Sequence, residues 1–179
     1  MLPRDLAMDV ALRPALPADR FMIRRWLAEP EIAAWWGGRD SAEATIAVAV
    51  DNALALARII LCDGAPVGYA HALDGMLAGL PEREGVPAGS SVIDLFVASV
   101  AHRGLGIGRR ALELLSAEVF ETTMAIACVI TAAIRNEGAV RAYEKAGYRW
   151  VSIRRDPVLG PCWVMVRERV GRQARSSHA

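Results

Sequence analysis

Two apolar runs bracket a glycine-rich turn. SVIDLFVA, Ser91 to Ala98, has the β-branched content of a strand, and Leu105 to Phe120 has the apolar spacing of a helix. Between the runs stands Arg103-Gly104-Leu105-Gly106-Ile107-Gly108. Glycine lets a backbone approach an anion closely, and the amides that open a helix sit at its positive end without intrahelical acceptors. Strand, glycine turn and helix in this order make a phosphate-binding element. The turn has no Gly-Lys-Ser/Thr of a P-loop, and its glycines are not spaced as GxGxxG, so neither of those phosphate loops fits. The same six residues also suit a tight surface turn with exposed arginines, and the motif alone does not decide between the two.

The rest of the chain supplies elements around that turn. Val10 to Arg13 reads as a short strand, followed by a helix from Ala18 or Asp19 through Trp26 that Pro30 ends. EIAAWWGG reads as a short helix ending in a turn at Gly37-Gly38, and Ser41 as the N-cap of a helix running from Ala44 to Leu56. Arg58 to Cys62 and Pro66 to Leu73 flank Asp63-Gly64-Ala65, a hairpin signal. Asp74 to Ser90, with four glycines and two prolines, has neither period and reads as a long connection. Ala125 to Ala132 is a further strand, Asn136 to Ala146 a helix, and Tyr148 to Arg154 with Cys162 to Glu168 a closing hairpin. Hairpins at both ends of a β-α-β-α-β run predict an α/β (α+β) fold on a mixed central sheet of about six to seven strands flanked by about four helices. Residues 1 to 168 form one domain in this scheme, and 169 to 179 a disordered basic tail.

Charge narrows the partners. With 21 basic and 20 acidic residues the net charge is +1, which gathers neither nucleic acid nor an anionic membrane. Four arginines and one glutamate from Arg167 onward carry +3, leaving −2 for residues 1 to 166, so a cationic small molecule is not repelled. Cys62, Cys128 and Cys162 are odd in number, far apart and not flanked by histidines, which argues for reduced core thiols and no metal. No apolar run reaches membrane-spanning length and the first ten residues carry Arg4, Asp5 and Asp9, so a cytoplasmic monomer or homodimer is expected.

A second motif, NEGAVRAYEKAGY from Asn136 to Tyr148, follows RGLGIG and IDLFV at a separation that resembles the GNAT N-acetyltransferase superfamily. The resemblance implies the GNAT fold and acetyl-coenzyme A as co-substrate. It implies that the amides from Arg103 through Gly104, Leu105, Gly106, Ile107 and Gly108 to Arg109 hold the pyrophosphate, and that the fourth strand splays from the fifth to admit the pantetheine arm. It also implies a backbone N–H among Phe96, Val97 and Ala98 on the acetyl carbonyl, and Asn136, Ala139 and Tyr143 beside the coenzyme. Within the superfamily, WWGG, the ID of the fourth strand, YEKAGY and the late Gly160-Pro161 before Trp163 and Met165 resemble the aminoglycoside 6'-N-acetyltransferases. That likeness implies Tyr143 as acid, Asp94 as base or substrate anchor, and direct attack by a primary amine in a ternary complex. Trp35, Trp36, Asp74 and Asp156 would border the acceptor.

The residues carry the same chemistry on their own terms. A phenol of pKa about 10 can protonate a departing thiolate of pKa about 8.5, so Tyr143 suits an acid, as it also suits a ring packed between helix and sheet. Asn136 is an N-cap by type. Asp94 stands in an otherwise apolar strand, where a carboxylate needs water, a partner or a substrate cation. A polycationic acceptor would draw on Glu29, Glu31, Asp74, Glu82, Glu84, Asp94 and Asp156, all of which equally suit solvated surface. Acylation of a siderophore hydroxylamine or lysine, or of a protein N-terminus, stays open beside the aminoglycoside. So does a non-catalytic coenzyme A or effector-binding module.

Overall fold

Asp63 and Gly64 both adopt positive φ, 49° and 80°, the conformation that matches the twist of a two-residue hairpin. They join β2 (Leu56–Cys62) to β3 (Ala65–Asp74). The Asp63 carboxylate also accepts the Asp9 N–H at 2.9 Å, anchoring β1 (Val10–Pro14) on the other edge of β2. The computed structural model describes residues 8–36, 39–80 and 85–170, except the side chains of Arg39 and Ser41. The predicted turn at Gly37-Gly38, the Ser41 cap, Glu82, Glu84 and the tail from 171 lie outside that description.

The remaining strands are β4 (Ser90–Val97), β5 (Ala127–Ala133), β6 (Arg149–Asp156) and β7 (Gly160–Glu168). Among the described residues one mixed sheet of seven strands results, in the order β1-β2-β3-β4-β5-β7-β6. Every pairing is antiparallel except β4 with β5, which are joined through α4 (Ile107–Thr122). α1 (Arg20–Leu27), α2 (Pro30–Ala33) and α3 (Arg39–Asp51) cover one face, where Ile23, Leu27, Ile46, Tyr69 and Phe96 are buried together. α4 and α5 (Glu137–Lys145) cover the other, over Ile60, Ile93, Leu112, Leu115 and Tyr143. β3 lies between the layers, and its seven residues Val67 to Leu73 are all buried, as a strand covered on both faces requires.

The structure corrects several boundaries. The first helix ends at Leu27, and Pro30 opens α2 instead of only closing α1, because proline's missing N–H costs nothing at a first helical position. α2 is the short helix read from EIAAWWGG, begun one residue earlier at Pro30. α3 begins at Arg39 and stops at Asp51, so Leu56 belongs to β2. Arg169, assigned to the tail from sequence, is tied into the fold: its backbone N–H donates to Ile126 O at 2.8 Å and its guanidinium to Ala125 O and Thr123 O. The guanidinium thereby satisfies two carbonyls of the link between α4 and β5.

The 74 to 90 connection is anchored at its described ends. Leu80 and Val86 pack with Val151 on Ala127, Val129, Val164 and Val166, the face of β5 and β7 away from α4. No helix among the described residues is long and apolar enough to cross a membrane.

Candidate active site

β4 and β5 pair over only three positions, Ser90↔Ala127, Ser91↔Cys128 and Val92↔Val129. Beyond Val92 the strands part, and β4 continues for five residues with no strand among the described residues paired on that edge. The gap opens into a cleft of about 1920 Å³. Its walls come from the β4–α4 turn, α5, the end of β6 and the α2 side of the opposite layer.

At the turn, Gly104 and Gly106 hold φ of 75° and 83°, and nothing lies within 4 Å of where a Cβ would stand on either. Arg110 N–H donating to Gly106 O at 3.0 Å is the first bond into α4, so the amides of Ile107, Gly108 and Arg109 precede the helical ladder. This open cradle of amides at a helix N-terminus fits a diphosphate. Gly104, Gly106, Gly108 and Arg109 line the cleft, while the Ile107 side chain is buried beneath and Leu105 is exposed. Those two can offer the loop only their backbone. Arg103 also lines the cleft, but its side chain folds back onto the end of β4. It donates to Val97 O and Ala98 O, both at 3.0 Å, and pairs with Glu31 of α2, locking the end of β4.

Among the three amides expected near the acetyl carbonyl, that of Ala98 already donates to Val67 O at 2.7 Å. Ladder bonds alternate along an antiparallel strand, so Phe96 turns toward β3 with Ala98, and Leu95 and Val97 present theirs to the gap. Val97 is thus the donor of the three that faces the cleft.

α5 supplies the opposite wall. Asn136 caps it, its Oδ1 accepting the Ala139 N–H at 3.2 Å, and Ala139 and Tyr143 line the cleft on the helix's inner side. Tyr143 is 9% exposed, and burial, with the Asp94 charge added, holds its phenol well above the ordinary value. Side chains alternate along β4. Ile93 packs under α4 and Phe96 under α1–α3, so Asp94 shares the Phe96 face. Tyr143 and Asp94 therefore line the one cleft from opposite faces of the sheet, on either side of the gap.

Asp94 sits in a cage that the sequence did not reveal. His71 is its register partner on β3, completely buried, with Nε2 3.7 Å from Asp94 Oδ2. Tyr69, two residues earlier on the same face, has a buried hydroxyl. Trp36 meets the His71 ring at 6.0 Å and Phe96 at 5.1 Å, both edge to face. Burial raises the Asp94 pKa to about 7, opposed by the Arg154 charge, and lowers that of His71 to about 4. The Asp94 side chain remains 40% open, so a carboxylate that titrates near neutrality faces the cleft. A histidine inside the apolar run VGYAHAL was the available signal for this cage.

The other acceptor candidates divide. Trp36 lines the cleft, as does Trp35, whose ring lies 5.0 Å under the Arg135 guanidinium. Asp156 lines it too, but its Oδ1 accepts the Val158 and Leu159 amides at 2.9 Å each, and its Oδ2 the Arg154 guanidinium at 3.2 Å. Burial pushes Asp156 up, yet those amides and Arg154 hold it below the usual carboxylate range. Asp74 is not brought to the cleft. It accepts the Met76 N–H at 2.9 Å in a turn, the local bond to which aspartates at strand ends are prone. Glu31 is committed to Arg103, and Glu29 is exposed outside the cleft.

A family model described as an acetyltransferase (GNAT) domain matches residues 15–154. The chain belongs to the GNAT acetyltransferases. It is an acetyl-CoA-dependent N-acetyltransferase. This GNAT chain is 30% identical over 150 residues to the aminoglycoside N(6')-acetyltransferase type 1 of Klebsiella pneumoniae, covering 78% of itself and 74% of the relative. The Serratia marcescens enzyme of the same description matches equally. Among solved structures, AAC(6')-Ib with ribostamycin and coenzyme A is similar at TM-score 0.77 and 26% identity, over 96% of this chain and 99% of that one. The kanamycin and coenzyme A complex of AAC(6')-Ib is similar at 0.75 and 25%, over 90% and 95%. Spermidine N-acetyltransferase from Vibrio cholerae, at 14% identity and TM-score 0.69 over 89% and 95%, shares the fold.

Proposed function

We propose that this GNAT enzyme acetylates a primary amine of an aminoglycoside, the 6'-amine, by direct attack within a ternary complex. The observation that carries the chemistry is that Asp94 and Tyr143 line one cleft from opposite faces of the sheet at the β4/β5 gap, within electrostatic reach of one another. The names of its relatives favour the acceptor class. The thioester supplies the acetyl carbon. The amine forms the new N–C bond while the C–S bond breaks. Asp94 accepts the amine's proton, and the Tyr143 hydroxyl supplies one to the departing sulfur. The Val97 N–H steadies the charge that develops on the carbonyl oxygen.

The two proton transfers are coupled. The negative charge on Asp94 is one reason the Tyr143 phenol holds its proton so tightly. Once Asp94 has taken the amine's proton that charge is gone, and Tyr143 becomes a stronger acid at the moment the sulfur needs one.

A thiol-release assay with acetyl-CoA tests the acceptor. The panel is aminoglycosides, analogues with a hydroxyl in place of the 6'-amine, polyamines and peptides. Turnover is expected with the 6'-amines and not with their hydroxyl analogues; turnover confined to polyamines or peptides would sink the aminoglycoside. Arg154, within electrostatic reach of Asp94, favours a second reading in which the acceptor is an amine of lower total charge, and the same panel separates it.

Asp94→Asn is expected to lower kcat/KM by about 10²- to 10⁴-fold and to remove the acid limb near pH 7 from the rate profile. Its effect on stability has the opposite sign. A carboxylate with pKa about 7 folded and 3.8 unfolded opposes folding fully above pH 7 and not at all below 3.8. The amide should thus raise Tm at pH 8 and lose that advantage by pH 4. Water in the cleft discounts the shift, so the gain is set at roughly 2–4 °C, the scale of 1 kcal/mol in a domain of this size. A thermal melt at both pH values reads it, and an equal Tm at pH 8 would remove the burial argument.

A further inference from the structure

We propose that His71 is the positioning residue for Asp94, its neutral imidazole donating from Nε2 to the carboxylate and aiming the free oxygen at the acceptor amine. The proposal rests on the assignment of Asp94 as the base. Its own ground is geometric. His71 is completely buried in β3, directly opposite Asp94 in the β3–β4 register, and neither ring nitrogen has a hydrogen-bond partner among the described residues. Buried polar atoms are rarely left so. Nε2 stands 3.7 Å from Asp94 Oδ2, just beyond a hydrogen bond. The terminal torsion of an aspartate is soft, so a small rotation of the carboxylate closes the distance.

The surroundings leave His71 little else to do. Its ring borders the cleft and is packed edge to face against Trp36 at 6.0 Å and tilted against Tyr69 at 5.7 Å. Deep burial keeps it uncharged at neutral pH, so it offers one N–H donor and one acceptor nitrogen and is not a counter-ion. An apolar side chain of similar volume would pack the same space, and what distinguishes histidine there is the donor. Among the described residues, the ionisable groups facing Asp94 are His71 and Tyr69 on β3, Tyr143 on α5 and Arg154 on β6. Of these, His71 is the cross-strand partner.

A neutral donor on a carboxylate favours its charged form. Removing it should raise the Asp94 pKa, and restoring a donor should bring it back. Two variants separate that role from packing: His71→Leu fills the space without a donor, and His71→Gln keeps an N–H in roughly the same place. His71→Leu is expected to lower kcat/KM about tenfold or more, to leave the coenzyme KM unchanged, and to move the acid limb up by about one unit. His71→Gln should recover most of the rate and return the limb toward the wild-type position. The ¹³C titration of the Asp94 carboxyl in both variants reads the same shift by NMR, in the absence of any substrate. A carboxyl titration unchanged in His71→Leu, or moved equally in both variants, would overturn the proposal. A shifted titration in a protein that acetylates no amine would leave the His71 pairing standing and refute the assigned reaction.

Discussion

Tyr143→Phe is expected to lower kcat by about 10²-fold or more while coenzyme A affinity stays within about twofold, because the substitution removes a proton donor and little else. The ring is 9% exposed and packs in the α4 layer with Leu112, Leu115 and Ile130. Phenylalanine keeps that packing, so thermal stability should hardly change. The phenol is protonated across the working pH range, since burial and the Asp94 charge both hold it above its ordinary value. The loss should therefore appear at every pH, not as a shifted limb. A second readout ties it to the leaving group. Acetyl thioesters whose thiols are more acidic depart without a proton, so they should narrow the gap between variant and wild type. Wild-type kcat in the variant, or a deficit that ignores the leaving group, would end the acid assignment.

What could be read from the chain beforehand followed from local chemistry. Asp63-Gly64 announces its hairpin because both residues tolerate positive φ, and the structure places both there. The strand, glycine turn and helix from Ser91 to Phe120 are read from period and glycine alone, and β4, the turn and α4 lie within two residues of those bounds at each end. Asn136 caps α5 because its side chain suits that position in any fold. The losses came where tertiary contact overrides local preference. Pro30 signals a helix end and a helix start equally well, and only the packing of Ile32 against the α1–α3 layer makes it a start. Asp74 and Asp156 look alike as loop carboxylates, yet one turns into a local bond outside the cleft while the other borders it with both oxygens engaged. His71 is the plainest case. Its own strand offers only the oddity of a histidine in an apolar run, and the residue acquires meaning from Asp94 across a ladder whose register no local pattern encodes.

Gly106→Val is expected to weaken coenzyme A binding by about 10²-fold or more, some 2.7 kcal/mol, while the protein still folds. Gly106 holds φ at 83°, a region that a β-branched residue enters only with strain of about 1–3 kcal/mol. No atom lies within 4 Å of the added Cβ, so the free protein meets strain without a clash. That emptiness is the cradle itself. The valine methyls would stand where a diphosphate must come up to the Ile107, Gly108 and Arg109 amides, or the loop would relax to negative φ and turn those amides aside. Gly108→Ala is the control. It lies inside α4 without positive φ, and its Cβ would meet Val97 Cγ2 at 3.6 Å and Leu95 Cδ1 at 3.7 Å, ordinary contacts. Calorimetry with coenzyme A should show the first variant crippled and the second close to wild type. Equal affinity in both would mean that the coenzyme does not lie against the Arg103 to Gly108 turn, and with that the diphosphate would have to be sought elsewhere along the cleft.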